Sequence, residues 1–470
     1  MLSGLSIKIF HLLTPFKYKG SNLKKMAHST HEILSTEERF EFKSETKRNL
    51  IVAALIGVAM VALGAFLLSK GWSIGVWEAH GAEHAGAAHE AAGHAEHGGE
   101  HGATLLSRII ANIWMNSIYF LGISVVGAFF ISYNYVAKAG WPASIKRVAE
   151  AFPSFLIVPG VIIILLMIIP STRHIIMHWT HEGIMDPTSE HYDKIIAGKS
   201  WYLNMPFYFI RIIAYIAVWY LGWMMIRKYS LLEDEVGGTE YYYKSRNASK
   251  LFLIFFAVTS STSAWDLSMV IDTHWFSTMF GWYHLASWHV AGLAALMLAI
   301  LFLKDQGYLK VVNESHLQDL GKLIFGFSIF WTYVWFSQYL LIFYANLPEE
   351  TIYFRERFTG FQGRYWWPFH ISLVLNFVFP LLILMARNSK RSATFLKIGC
   401  WAIMIGHWFD FYQMHMPGIA KEQGGIGIIE WGTTLTFAAV FIYFVANQLS
   451  KANLYPKNHP FLEESLHHDI

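Results

Sequence analysis

The stretch WDLSMVIDTHWFSTMFGWYHLASWH, residues 265–289, sets Asp266, Asp272, His274, His284 and His289 between long runs of Leu, Ile, Phe and Ala. A second stretch, GHWFDFYQMHMPG (406–418), carries His407, Asp410 and His415 in similar surroundings. An ionisable group at membrane depth costs at least about 2.5–3.5 kcal/mol, so it normally faces a bundle interior or a water-filled path. Carboxylates and imidazoles placed together there suit proton handling, because a histidine near neutrality and a desolvated aspartate can exchange protons at physiological pH. The plainer role for each is a satisfied structural hydrogen bond within a helix bundle.

Helical spacing sorts these residues. Thr259, Thr262, Ser263 and Asp266 follow i, i+3, i+4, i+7 and give a polar stripe running toward the carboxylate. His407, Asp410 and Met414 align at i, i+3 and i+7, while His284 shares a face with Trp288 and leaves His289 turned away. Ser328, Thr332, Trp335 and Tyr339 form another half-polar stripe, with Gln338 beside it. Asp272 and His274 fall near the outer surface, where Trp275 suits the aromatic belt. Arg211 is expected either to pair with one of the carboxylates or to snorkel outward. Asp266, Asp410 and His407 are therefore the candidates for a proton path, and Asp272, His274, His284 and Arg211 for a site at the outer rim.

The elements that hold these groups must be membrane helices. Of 470 residues 54% are hydrophobic and only 15% charged, against about 25% charged in a soluble domain. Windows of about 20 apolar residues, the length that crosses the hydrocarbon core, lie near 50–68, 108–136, 152–170, 206–226, 250–271, 280–303, 322–345, 367–386, 394–415 and 426–448. The runs are too long and too uniformly apolar for barrel strands. The expected fold is an all-α polytopic membrane protein with ten spans, arranged as two four-helix bundles plus peripheral helices. Lys and Arg concentrate in the segments that lie inside when the N-terminus is inside, so both termini are expected in the cytoplasm.

On this reading residues 1–49 form a cytoplasmic segment, 50–68 the first span, 69–107 an outer loop, 108–448 a nine-span domain and 449–470 a cytoplasmic tail. The first span looks set apart by that long loop. The loop's Trp77–Ala103 portion holds six His among Ala, Gly and Glu, a composition that reads as a solvated linker or a weak metal or proton buffer. The stretches 171–206 and 348–366 are long for simple connectors, and both are expected on the outer face. Met26 is an alternative start to Met1, and the residues before it do not form a signal peptide. The single cysteine, Cys400, excludes a Cys-ligated iron–sulfur cluster, a CxxCH haem site and an internal disulfide. The membrane histidines show no repeated pair suited to bis-His haem ligation, and no metal site is expected.

Several strings point to a family. SAWDLSMVIDTHWFSTMFGWY (263–283), AGKSWYLNMPFYFIR (197–211), IFWTYVWFSQYLLIFYANLPEE (329–350), GHWFDFYQMHMPG (406–418) and NHPFLEES (458–465) resemble the NrfD-like membrane subunits of bacterial alternative complex III, a quinol:cytochrome c oxidoreductase. The resemblance covers about residues 105–465, and the His-rich loop is similar to that of the smaller of the two such subunits, the F type. It implies a respiratory-chain subunit of the cytoplasmic (cell inner) membrane, supporting quinol oxidation and electron transport. Its partners would be a homologous membrane subunit, an iron–sulfur subunit, haem c subunits and a terminal oxidase. Menaquinol or menaquinone is the expected small molecule, and the outer-rim residues become candidates for its site. A purely structural anchor, and the quinol dehydrogenase subunit of another oxidoreductase, are the alternatives.

Overall fold

The computed structural model describes residues 37–72, 75–76 and 104–469. The His-rich segment and the question of Met26 fall outside them. Among the described residues the fold is all-α apart from one two-residue strand pair, and nine helices are long and apolar enough to cross a membrane. In chain order the main elements are α1 (Ser44–Ser69), α2 (Leu105–Ala137), α3 (Lys146–Ile168), α4 (Met205–Val236), α5 (Glu240–Leu267) and α6 (Met279–Asp305). They continue with α7 (Glu314–Ala345), α8 (Pro348–Phe358), α9 (Trp366–Leu384), α10 (Ala393–Ala420) and α11 (Ile428–Leu449). All except α8 and α10 make up the nine.

The tenth expected span, α10, exists as a helix but is not among those apolar enough to face lipid. Its position explains the difference: every residue from Gly406 to Pro417 is buried. Neighbours α2, α6 and α9 pack around that half, while the first half of α10 keeps Phe395, Ile398 and Trp401 exposed. The other inner helix, α2, packs on α3, α5, α6, α10 and α11. Gly122 of α2 makes one of these approaches close, since the Trp288 ring of α6 occupies the place a side chain at 122 would need. Trp288 then donates its indole N–H to the Ile118 carbonyl at 3.0 Å.

Around these two helices the contacts fall into two groups, α2–α5 and α6, α7, α9 and α10, with α11 against α2 and α3. The first span is not set apart. Helix α1 lies along α11, with Gly57 and Gly64 buried at the seam. A Cβ at Gly64 would come within 2.7 Å of Ile429 Cγ1, and one at Gly432 within 2.7 Å of the Gly57 carbonyl oxygen. Small residues at such a seam let backbones approach, which is how packing drives helix association in lipid. The strand pair Gly75–Val76 with Ile426–Gly427 closes the same seam at one end.

Residues 37–43 and 453–457 share a face. Leu454 N–H donates to the Glu38 carbonyl at 2.7 Å, and Lys457 pairs with Glu37 at 2.5 Å. The tail after α11 is packed rather than free: Ser465 bonds the Trp141 carbonyl at 2.8 Å, and His468 meets Asp319 at 2.7 Å. At the opposite, loop face, the two long connectors are folded. The first holds short helices at Pro170–Ile176 and Lys194–Gly198, and the second holds α8.

Candidate functional site

Asp410 sits on α10 with its carboxylate aimed at α6 and α7, and 2% of the residue is exposed. Tyr283 donates its hydroxyl to Oδ1, Ser287 Oγ donates to Oδ2 at 2.7 Å, and Trp331 Nε1–H reaches Oδ2 at 3.1 Å. His407 Nδ1 lies 3.4 Å away, one turn back on the same helix, as the i, i+3 spacing requires. Its Nε2 has no partner among the described residues. No lysine or arginine bonds to this carboxylate there. Asp410 is thus a buried acid held by neutral donors and one imidazole, which is an arrangement able to take up and return a proton without breaking an ion pair.

A cavity opens from Asp410 toward the loop face. Tyr283, Trp331 and Gln413 lie at its inner end, Trp335, Phe354 and Phe369 form aromatic walls, and Arg357 adds a cation. Its empty space, open solvent included, is about 420 Å³, but it is narrow and admits water rather than a ring as it stands. Ser372 and Leu373 of α9 line it just before a π-helical turn at Val374–Val378. Such turns recur at functional sites because the widened turn redirects side chains. There the turn carries the buried Asn376, whose Oδ1 lacks a partner among the described residues.

Arg357 joins three elements at the cavity. From α8 its Nε–H donates to the Gln413 carbonyl at 2.8 Å, one Nη donates to the Tyr353 carbonyl at 2.8 Å, and the other bonds Asp272 Oδ2 at 3.0 Å. The guanidinium also stacks on the Tyr353 ring at 3.3 Å. Asp272 therefore belongs to this site, as a rim partner. His274 lies in the same connection but turns to the long loop, where its Nε2 meets Asp193 Oδ2 at 2.5 Å. Lys199 Nζ bonds the Thr273 carbonyl at 2.7 Å and fixes the same contact.

Asp266 and Arg211 form a separate cluster. Arg211 Nε and Nη2 bond the two carboxylate oxygens at 2.7 and 2.9 Å, and Tyr215 donates to Oδ2 at 2.7 Å. Of the two outcomes expected for Arg211, pairing is the one found. Its guanidinium also lies 3.8 Å from the Tyr202 ring centre. The hydroxyl stripe leading to Asp266 bonds its own helix in part: Ser263 donates to the Ser260 carbonyl and Thr262 to that of Val258. On α7 the buried face is Ser328, Trp331, Val334, Gln338 and Ile342, turned from the expected Ser328–Thr332–Trp335–Tyr339 stripe. Thr332 satisfies itself on the Ser328 carbonyl, so it needs no interior partner.

His284 enters a third group. Ser268 Oγ lies 3.0 Å from His284 Nε2 and 2.9 Å from His415 Nε2. His415 Nδ1 lies 2.7 Å from the Phe411 carbonyl and must donate to it, which leaves its neutral Nε2 as an acceptor. The single hydroxyl proton of Ser268 then goes to His415, and His284 donates from Nε2 to Ser268. His289 is turned away as expected, against Phe129 and Phe327 at ring distances of 5.0 and 4.3 Å.

Sequence reasoning missed Tyr283 and Arg357 as site residues, and the buried ionic network at the terminal face. Glu150 there meets Arg147 at 2.7 Å and Arg227 at 3.5 Å, while Lys146 meets Glu233 at 3.4 Å. The apolar window began at residue 152 and left these charges in a loop, whereas α3 begins at Lys146. The i, i+3 pair Arg147 and Glu150 was the signal for an earlier helix start. Among the described residues no three His, Cys, Asp or Glu side chains stand where they could hold a metal ion. No protein-family model matches this sequence, and no curated protein matches it.

Proposed function

We propose that this multi-pass membrane protein is a subunit of a quinol-oxidising electron-transport complex, and that the Asp410 cavity is where quinol protons are taken up. The observation that carries the reading is Asp410 itself: a buried carboxylate that bonds no lysine or arginine among the described residues, at the inner end of an aromatic-walled cavity. The NrfD-like strings support the same reading, because 263–283, 329–350 and 406–418 supply Tyr283, Trp331, Trp335, Gln338, Asp410, Gln413 and Met414 of its lining.

The residues suit a two-oxygen aromatic substrate. Trp335, Phe354 and Phe369 offer ring faces, Gln338 and Gln413 offer hydrogen-bonding side chains, and Asp410 with His407 accepts a hydroxyl proton. A quinol ring is admitted when the aromatic walls move apart at the seam of α7 and α9, beside the π-helical turn. Quinol oxidation releases two protons and two electrons. Cys400 cannot ligate a cluster alone, so the electrons pass to an iron–sulfur or haem c centre of a partner subunit, with a homologous membrane subunit alongside and a terminal oxidase as the final acceptor. We place the complex in the cytoplasmic membrane with both chain ends inside.

The test uses the particle purified with its partners. Asp410→Asn keeps the shape and the Ser287 and Trp331 contacts but removes the base, so turnover with a short-chain naphthoquinol is expected to fall about 100-fold with assembly intact. Unchanged turnover in the assembled variant defeats the proposal.

A further inference from the structure

At the inner end of the Asp410 cavity the donors are already committed. Tyr283 and Trp331 donate to Asp410, and Arg357 donates to the carbonyls of Tyr353, Gln413 and Met414 and to Asp272. Gln413 lines the cavity one turn beyond Asp410 on α10, on the same face by its i, i+3 spacing. Only 5% of it is exposed. Its side-chain Nε2–H donates to the Tyr365 carbonyl, and its Oε1 has no partner among the described residues.

The neighbours fix which way this amide points. A carbonyl only accepts, so the end of Gln413 against Tyr365 is the NH2 group and the unpartnered end is the oxygen. Tyr365 is anchored in turn: it is fully buried, its carbonyl also takes the Phe369 N–H at 3.1 Å, and its hydroxyl donates to the Lys421 carbonyl at 2.6 Å. Arg357 holds the Gln413 backbone, its Nε–H bonding that carbonyl at 2.8 Å. Gln338 differs. Its Oε1 also lacks a partner among the described residues, but no hydrogen bond there anchors its amide, so it can present either end. The Tyr353 and Ser372 hydroxyls in the lining can likewise donate or accept.

We propose that Gln413 makes the cavity selective for the reduced, two-hydroxyl form of its ring, with one hydroxyl donating to Asp410 and the other to Gln413 Oε1. This rests on the reading of the cavity as a quinol site. Cβ atoms at i and i+3 are about 5–6 Å apart, comparable with the separation of two para oxygens on one ring. Oxidation breaks both O–H bonds: one proton goes to Asp410, the other to water in the cavity, and two electrons go to the partner's iron–sulfur or haem centre. The ring oxygens are then carbonyls, which have no hydrogen to give. A fixed acceptor at Gln413 is left facing another acceptor, and a buried acceptor without a donor is unfavourable. The product is therefore held less tightly than the substrate, and its release follows from the reaction itself.

The test reads affinity from quenching of tryptophan fluorescence in the anaerobic partner-containing particle. The probes are a short-chain naphthoquinol and its two monomethyl ethers, with the partner centres reduced beforehand, and the matching naphthoquinone, with those centres oxidised. In wild type the quinol is expected to bind about 100-fold tighter than the quinone and about tenfold tighter than either ether, about tenfold for each hydroxyl that finds its acceptor. Gln413→Met keeps the length of the side chain and removes the acceptor. Its quinol affinity should fall about tenfold, with quinone affinity within about twofold of wild type, whereas Gln338→Met should move both alike. A wild-type protein that binds one ether as tightly as the quinol has a single acceptor and overturns the proposal, whether or not the variant assembles. Equal weakening of quinol and quinone in Gln413→Met overturns it too. Wild-type turnover in Asp410→Asn defeats the quinol reading and this proposal with it. Lost turnover in Asp410→Asn beside an unchanged quinol preference in Gln413→Met overturns the Gln413 assignment alone.

Discussion

Two aspartates that look alike in sequence differ by their nearest cation. Asp266 and Asp410 each precede a Met and a His near the end of a helix, but Arg211 closes a two-pronged ion pair on the first and, among the described residues, no guanidinium bonds the second. A buried pair is sensitive to removal of one partner, because the survivor is left as an uncompensated charge. Arg211→Met is therefore expected to destabilise the protein by about 3–5 kcal/mol, and Arg211→Met with Asp266→Asn by much less, as read from thermal unfolding in detergent. Equal losses in the single and double variants contradict a charge-pairing role. The sequence showed that both acids were costly to bury and therefore purposeful. Which of them was neutralised depended on Arg211, 55 residues from Asp266, and on Tyr283 and Ser287 crossing to Asp410 from α6. Residue spacing within one helix holds no information about a partner on another.

At the scale of elements, apolar length located every membrane helix, because the hydrocarbon core sets a minimum that does not depend on packing. Ends were read less well. α4, α5 and α7 run on past their apolar windows at the terminal face, since a helix leaving the bilayer loses hydropathy before it loses its backbone hydrogen bonds. The docking of α1 was hidden for another reason: a glycine seam has almost no hydropathy signature. Gly64→Leu places a branched side chain where Ile429 already sits and is expected to release α1 from α11 while the other helices stay assembled. Limited proteolysis in the 70–104 connection followed by affinity capture of the C-terminal fragment reads this out. Wild-type α1 should remain bound, and retention of α1 by the variant contradicts a packing-driven seam.

For the molecule as a whole, the clasp puts residues 37–43 and 453–457 on one face, and the folded connectors at 170–204 and 348–366 on the other. Protease-cleavable tags on the two termini should be digested together from the same side of sealed membrane vesicles; digestion from opposite sides contradicts an even number of crossings. The Lys and Arg distribution predicts that the shared face is the cytoplasmic one, because it reflects how loops are retained rather than how helices pack. Helix α10 has a consequence for how the chain is made. A segment carrying His407, Asp410, Gln413 and His415 is a poor substrate for partition into lipid by itself. The surfaces it packs on, α2 and α6, both precede it in the chain and so leave the ribosome first. The chain order of the helices thus gives the polar half of α10 its packing partners before it has to leave water.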